Sequence, residues 1–484
     1  MCRGLVIPYL WVDALCIIQD DEDDLRRELG KMPKIYQHAT VTISAAWSRK
    51  ADDGFLYRRG HKYQLCPPVK LKVVDRSWQG SMSHHGEDEE ENQEKQARAT
   101  EAYAYETPSM YRDPISSRAW TYQEHALSPR VLLYRSTLLE WSCRTISDSY
   151  GMLESHIRAR KAEQQSSHNS DPFFVLSSSQ PWSSIVIQYS KRYLSFTSDK
   201  LRALSAIAQV YHQETGKKYL AGLWKEDFPA ALCWYASPEE SNNADKGTNL
   251  DFGSFFTVPR KRPAGYRASS WSWASIDDAV FMFPAADEEV KQVLRPAPGV
   301  NIFGAEITPA YAGGEFDSVA SGYLDIEGPM GEVTASMATR LMRGRPSSPG
   351  FVSGEGKIKV PVGGQGHEVV VVLDTAPETE EEEGVEKYGS GRTGVWLLVL
   401  TEFVGVMEEE VEDGAENANQ VGNETIDTAA YAGLVLVEDA QGRPDTFRRI
   451  GFFQCCYAAG FGDEYDDGCS ELWREFGIKR VTIV

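Results

Sequence analysis

The chain has 484 residues, enough for two or three cores, since a single core stops growing at ~250–300 residues. Its 71 acidic against 50 basic residues give a net charge of −21, which argues against nucleic acid as the main partner because binding a polyanion needs a basic face. No apolar stretch approaches the ~20 residues of a membrane helix, the opening is broken by Arg3, Gly4 and Pro8, and the 8 cysteines lack C-x-x-C spacing, so a cytoplasmic protein with reduced thiols and no membrane segment is expected.

The first informative element is Tyr9–Asp20 (YLWVDALCIIQD). Leu10, Trp11, Val12, Leu15, Cys16, Ile17 and Ile18 form a nearly continuous apolar run, which predicts a strand over Leu10–Ile18 covered on both faces. Asp13 interrupts it, and a carboxylate there is costly unless hydrogen-bonded or placed where the strand opens to solvent. It reads either as a turn cap or Arg partner, or as a ligand-facing group. Gln19, Asp20 and Asp21 end the run, and acidic residues through Asp24 suit the positive end of a helix over 22–39. That helix carries Leu25, Leu29, Met32, Tyr36 and Ala39 on one face, and Pro33 kinks it or splits it in two. Val41–Ala46 (VTISAA) is a second short strand, so a parallel crossover is predicted between it and Leu10–Ile18.

Residues 76–110 form a polar insertion, and within it His84-His85 sits in a Gly/Ser/Glu-rich loop that reads as solvated, so no metal is expected. The next informative segment is Arg118–Cys143 (RAWTYQEHALSPRVLLYRSTLLEWSC). Ser116 or Ser117 can cap the turn at Arg118–Trp120, and the following helix places Trp120, Glu124 and Leu127 on one face. Glu124 reads either as a surface carboxylate bonded to Arg118 or Arg130, or as one at the floor of a cleft. Ser128-Pro129 stops the helix, and Val131–Tyr134 with Leu138–Trp141 predict a strand pair.

A Ser/Gln-rich stretch at 161–181 leads into a helical middle region, 180–285, with helix periodicity over Ile185–Tyr193 and Leu201–Tyr211 and Asp199 as an N-cap for the second. From 300 to 484 the pattern changes to short strands punctuated by glycine, at Gly322–Glu327, Glu368–Leu373, Val395–Leu400 and Ala432–Val437, a β-rich region that could close as a sheet or a barrel. Acidic runs at Glu87–Glu91, Glu378–Glu383 and Glu408–Asp413 read as solvated loops, or as docking points for a basic partner. Cys455-Cys456 reads as a pair of buried thiols, and no 20–50-residue repeat is present.

The two motif segments together resemble the HET domain, the heterokaryon-incompatibility module of filamentous fungi. Its pattern runs as W-I-D-x-L-C-I-x-Q, a helix ending M-x-x-I-Y, a T-I-x-A strand, then R-x-W-T-x-Q-E-x-x-L-S-x-R and a closing W-x-C. This chain supplies Trp11, Asp13, Leu15, Cys16, Ile17 and Gln19, then Met32, Ile35, Tyr36, Ala39, Thr42, Ile43 and Ala45. Later come Arg118, Trp120, Thr121, Gln123, Glu124, Leu127, Ser128, Arg130, Trp141 and Cys143. Trp182–Leu204, Tyr219–Trp224 (YLAGLW) and Ser270–Ala274 (SWSWA) are similar to the region that often follows a HET domain. The resemblance implies a HET domain over 1–145 with a flavodoxin/TIR-like α/β parallel sheet. The opening MCRGLVIPY has no S-Y-x-W-G-like strand, so the domain is expected to lack its first strand, either because the sequence is truncated at its start or because this is a degenerate copy, with an inactive relic as a further alternative.

The function implied is heterokaryon incompatibility and programmed cell-death signalling, through self-association or a signalling partner protein, with no cofactor required. HET domains are distantly similar to TIR domains, some of which cleave NAD with a helix-borne glutamate four residues after a tryptophan. Trp120 and Glu124 have that spacing. In this alternative Glu124 is the catalytic carboxylate that stabilises an oxocarbenium-like ribose, Asp13 lies at the ligand-binding end of the sheet, and NAD is the substrate. No glycine-rich phosphate loop accompanies the pair.

Overall fold

The structure is a computed structural model that describes residues 2–18, 20–50, 52–56, 69–73, 100–104, 113–135, 139–143, 147–150, 181–236, 262–282, 292–333, 355–362, 365–374, 395–406, 425–439, 441, 443–455 and 476–484. Gln19, the His84-His85 pair, the three acidic runs, Cys456 and the 161–180 stretch lie outside the described residues, as does all of the 76–110 insertion except Thr100–Ala104. The chain divides into two compact units, one of residues 1–33, 118–127 and 176–484, the other of residues 34–117 and 128–175.

The first unit opens with three short helices, α1 (Cys2–Leu5), α2 (Asp13–Cys16) and α3 (Glu22–Leu29). The strand expected over Leu10–Ile18 does not form. The backbone amides of Cys16 and Ile17 turn back to the carbonyls of Val12 and Asp13, the Asp13 carboxylate accepts from Ala14 N at 2.8 Å, and Asp24 accepts from Ile18 N at 2.9 Å. Asp side chains offer the backbone local partners that compete with a ladder, and apolar content alone does not outweigh them. Asp21 caps α3, accepting from the amides of Asp23 and Asp24 at 2.9 and 3.0 Å, as the acidic run at that end requires. The long helix expected over 22–39 splits at Gly30-Lys31, and Pro33 falls in the first turn of α4 (Met32–His38), where its missing N–H costs nothing.

The second unit is built on a four-stranded sheet of order β1-β4-β5-β6, with β1 (Thr42–Ser44), β4 (Arg130–Tyr134), β5 (Leu139–Cys143) and β6 (Ser147–Tyr150). β1 runs parallel to β4, and every other pairing is antiparallel, so the sheet is mixed where a parallel one was expected. A separate hairpin joins β2 (Val69–Val73) to β3 (Thr100–Ala104). Val131 and Leu133 are buried against Ile115, and beside them Arg135, fully enclosed, donates to both Asp113 and Glu140. Burial pushes the Asp113 carboxyl above its usual range, opposed by the adjacent guanidinium. Pro114–Ser117 is a 3-10 turn in which Ser117 Oγ donates to the Pro114 carbonyl at 2.7 Å, so that hydroxyl caps its own turn instead of the helix that follows.

The remainder of the first unit holds α5 (Trp120–Leu127), α6 (Trp182–Ser190), α7 (Ser205–Thr215), and the two-residue strands β7 (Tyr219–Leu220), β8 (Leu223–Trp224), β9 (Tyr235–Ala236) and β10 (Val280–Phe281). Asp199 does not cap α7. Two 3-10 turns, Thr197–Lys200 and Arg202–Leu204, precede the helix, and Asp199 pairs with Arg202 at 3.7 Å. The YLAGLW and SWSWA segments meet in the core: the indole N–H groups of Trp182 and Trp273 both donate to the Gly222 carbonyl at 2.8 Å, and Ser272 Oγ donates to Ala221 O at 2.5 Å.

The C-terminal strands are β11 (Gln292–Pro296), β12 (Asn301–Pro309), β13 (Val319–Val333), β14 (Glu355–Val362), β15 (Gln365–Leu373), β16 (Val395–Val406), β17 (Thr425–Glu438), β18 (Thr446–Cys455) and β19 (Gly477–Ile483). Five of them close on themselves: β13 pairs β16, β16 pairs β17, β17 pairs β18, β18 pairs β19, and β19 returns to β13. The region is therefore a small barrel, with β11, β12 and the β14–β15 hairpin attached outside the ring. Leu324, Ile326, Leu398, Leu434, Leu436, Phe447, Val481 and Ile483 alternate inward and belong to the same continuous core as Trp182, Trp224 and Trp273.

Two predictions follow from this packing. Gly222 has φ +95° and a Cβ there would sit 2.6 Å from Trp273 Nε1, so Gly222→Ala should lower the unfolding free energy by about 2–4 kcal/mol, measured by urea titration of tryptophan fluorescence. A loss under ~0.5 kcal/mol would contradict the packing. Lys200 is buried, with Nζ donating to Ile276 O and Asp278 O at 2.6 and 3.1 Å; burial first, and Arg267 second, pull its pKa from 10.5 to about 7. The unfolded chain then holds the extra proton between those two values, so stability should rise as pH increases through that window. The urea midpoint of wild type relative to Lys200→Met should climb from pH 7 to pH 9.5, and a constant difference would refute the assignment.

Candidate functional site

The helix-borne motif is held by the helical middle region. Ala119 N donates to Tyr193 O at 2.9 Å, Arg118 bridges Tyr193 in parallel, and Ala119, Tyr122 and Ala126 pack into the core beside Ile185, Val186 and Tyr189. Thr121 Oγ1 donates to Arg118 O at 2.8 Å in the first turn. Of the motif side chains on α5, Gln123 is buried, and Trp120 and Glu124 are half-buried one turn apart.

Two residues outside the motif complete this constellation. The Arg192 guanidinium lies 4.6 Å over the Tyr122 ring and reaches Arg118 O and Thr121 Oγ1 at 3.4 Å. Burial depresses the Arg192 pKa, while Tyr122, Tyr189 and Glu124 hold it up, so the Glu124 carboxylate acts on a neighbouring cation. Burial raises the Asp199 carboxyl, and Arg202 first and the Trp120 indole second oppose the rise. Arg192 ends the α6 segment as a cation suited to a helix C-terminus, the one sequence signal that could have identified it.

The other motif residues sit elsewhere. Asp13 is exposed on α2 with its carboxylate on its own first turn, Cys16 is an exposed free thiol at the end of that turn, and Trp11 is half-buried just before it. Ser128 and Arg130 belong to the second unit, where Ser128 Oγ shares a 2.6 Å hydrogen bond with Thr42 Oγ1 and Arg130 reaches Thr40 O at 3.5 Å. Those bonds stitch β4 to β1 and give both residues a positioning role. Trp120, Gln123 and Glu124 thus share one helix, Arg118 lies just before it, and Arg192 reaches the helix start through Arg118 O and Thr121 Oγ1.

Among the described residues no group of three or more His, Cys, Asp or Glu is placed to hold a metal ion, and no helix is long and apolar enough to cross a membrane.

No curated protein and no solved structure matches the chain. Residues 1–124 match the family model described as Heterokaryon incompatibility protein (HET), a span that runs from the N-terminus through Glu124. The chain therefore carries a heterokaryon-incompatibility (HET) domain in residues 1–124.

Proposed function

We propose that this is a heterokaryon-incompatibility protein that signals cell death through contact between copies of its HET segment, not through NAD chemistry. The observation that carries this reading is an exposed apolar stretch inside the family match. Val6, Tyr9, Leu10 and Leu15 are 88, 87, 63 and 82% exposed, and from Gly4 to Val12 (GLVIPYLWV) there is no charged residue. Exposed apolar surface concentrated in one segment marks interaction sites. A second copy suits it because an uncharged stretch lets two chains of net charge −21 meet without bringing like charges together.

NAD cleavage is the second reading, supported by the retention of Trp120 and Glu124 one turn apart on α5.

Sedimentation velocity of the full chain over a concentration series tests the contact reading. Wild type should show a concentration-dependent dimer, and the double variant Leu10→Asp with Leu15→Asp should stay monomeric with an unchanged melting temperature, since both side chains are exposed and surface changes cost within about 0.5 kcal/mol. A wild type that remains monomeric at high concentration, or a variant that associates equally well, would overturn it.

A further inference from the structure

One end of the barrel opens into a cavity of about 490 Å³, within the ~300–1,000 Å³ range of small-ligand sites, which favour barrel mouths. Trp396, Phe447 and Val481 line it and continue the inward rows of β16, β18 and β19. The next inward positions carry charge instead of apolar bulk: Glu438 follows Leu434 and Leu436 on β17, and Lys479 precedes Val481 and Ile483 on β19. The turn from β17 to β18 adds Asp439, Arg443 and Asp445, the last with φ +54°, a left-handed conformation that a non-glycine residue adopts at some cost.

Three observations define what this mouth recognises. The Lys479 ammonium lies 3.7 Å from the centre of the Trp396 ring, and Trp396 meets Phe447 edge-on with centroids 6.2 Å apart. Glu438, Asp439 and Asp445 line the cavity, and among the described residues none of them takes part in an ion pair. Of the lining's cations, Arg480 is held by both Asp325 oxygens at 3.0 and 2.6 Å and Arg443 donates to Gln441 at 3.2 Å, which leaves Lys479 as the cation seated on the indole. An indole face that accepts an ammonium, a second aromatic at its edge and three uncommitted carboxylates form the environment that attracts organic cations. We propose that the barrel mouth binds an alkylammonium group, and that Lys479 is the intramolecular occupant which the ligand displaces. The group belongs either to a small free amine or to a modified lysine of another protein.

The test uses the full chain labelled with 5-fluorotryptophan, with the Trp396 resonance assigned by its loss in Trp396→Phe. Free trimethyl-lysine and a short peptide bearing the same side chain are titrated in, with norleucine as the neutral control. The Trp396 signal should move saturably with both ammonium probes and stay still with norleucine. Lys479→Met should tighten binding about fivefold because the internal competitor is gone, and Glu438→Gln should weaken it. Tighter binding of the peptide than of the free amino acid assigns the ligand to a protein side chain, and equal binding assigns it to a small amine. No saturable movement in wild type or in Lys479→Met, or an equal response to norleucine, would overturn the proposal. The wild-type titration and Glu438→Gln decide the matter even if Lys479→Met fails to fold.

Discussion

A single carbonyl organises the larger unit. Gly222 O accepts the indole N–H of both Trp182 and Trp273, and so ties α6 to the β7–β8 turn and to the 269–275 segment at one point. A buried indole without an acceptor is unfavourable, so two of them converging on one oxygen admit few alternative packings. The left-handed backbone at Gly222 makes the arrangement possible, because only a residue without a side chain lets the Trp273 ring approach so closely. From the same segment Trp271 O accepts from Trp234, and Ser270 reaches Val484 O while accepting from Arg449 N at 2.9 Å. Helical middle and barrel consequently share one core.

A buried ionic contact secures the other side of that junction. Asp374, just after β15, accepts from Arg449 at 3.1 Å and from Arg262 at 3.3 Å, and Arg449 also donates to the carbonyls of Leu232 and Trp234 and stacks 3.4 Å over the Trp234 ring. Charges removed from water are tolerated only when their remaining hydrogen-bonding capacity is met, and here the carbonyls and the ring meet it. Desolvation lowers the Arg449 pKa while Asp374 opposes the fall. The contact ties the 230–236 segment to β18 and to the residue that follows β15.

Periodicity and punctuation made much of this legible. Ser128-Pro129 ends α5, the apolar alternation after it gives the β4–β5 hairpin, and glycine-punctuated runs give β13, β15, β16 and β17. Closure of the barrel was not legible, because it depends on which distant strands pair. Leu10–Ile18 read as a buried strand because composition reports apolarity and not the presence of a ladder partner, whereas the local hydrogen bonds of Asp13 and Asp24 decided its backbone. At the candidate site, spacing correctly placed Trp120 and Glu124 on one helix, but their partners Asp199 and Arg192 lie more than 60 residues away and no local pattern points to them.

The functional account rests on whether the HET segment works by its surface or by its carboxylate. The most direct measurement compares growth arrest on overexpression of two full-length variants, Glu124→Gln and the doubly charged Leu10→Asp with Leu15→Asp, at matched protein levels. Glu124→Gln removes a charge from a half-buried position on α5, and it should still arrest growth while the doubly charged variant does not. Loss of arrest in Glu124→Gln, accompanied by loss of NAD consumption and retained by the doubly charged variant, would contradict it.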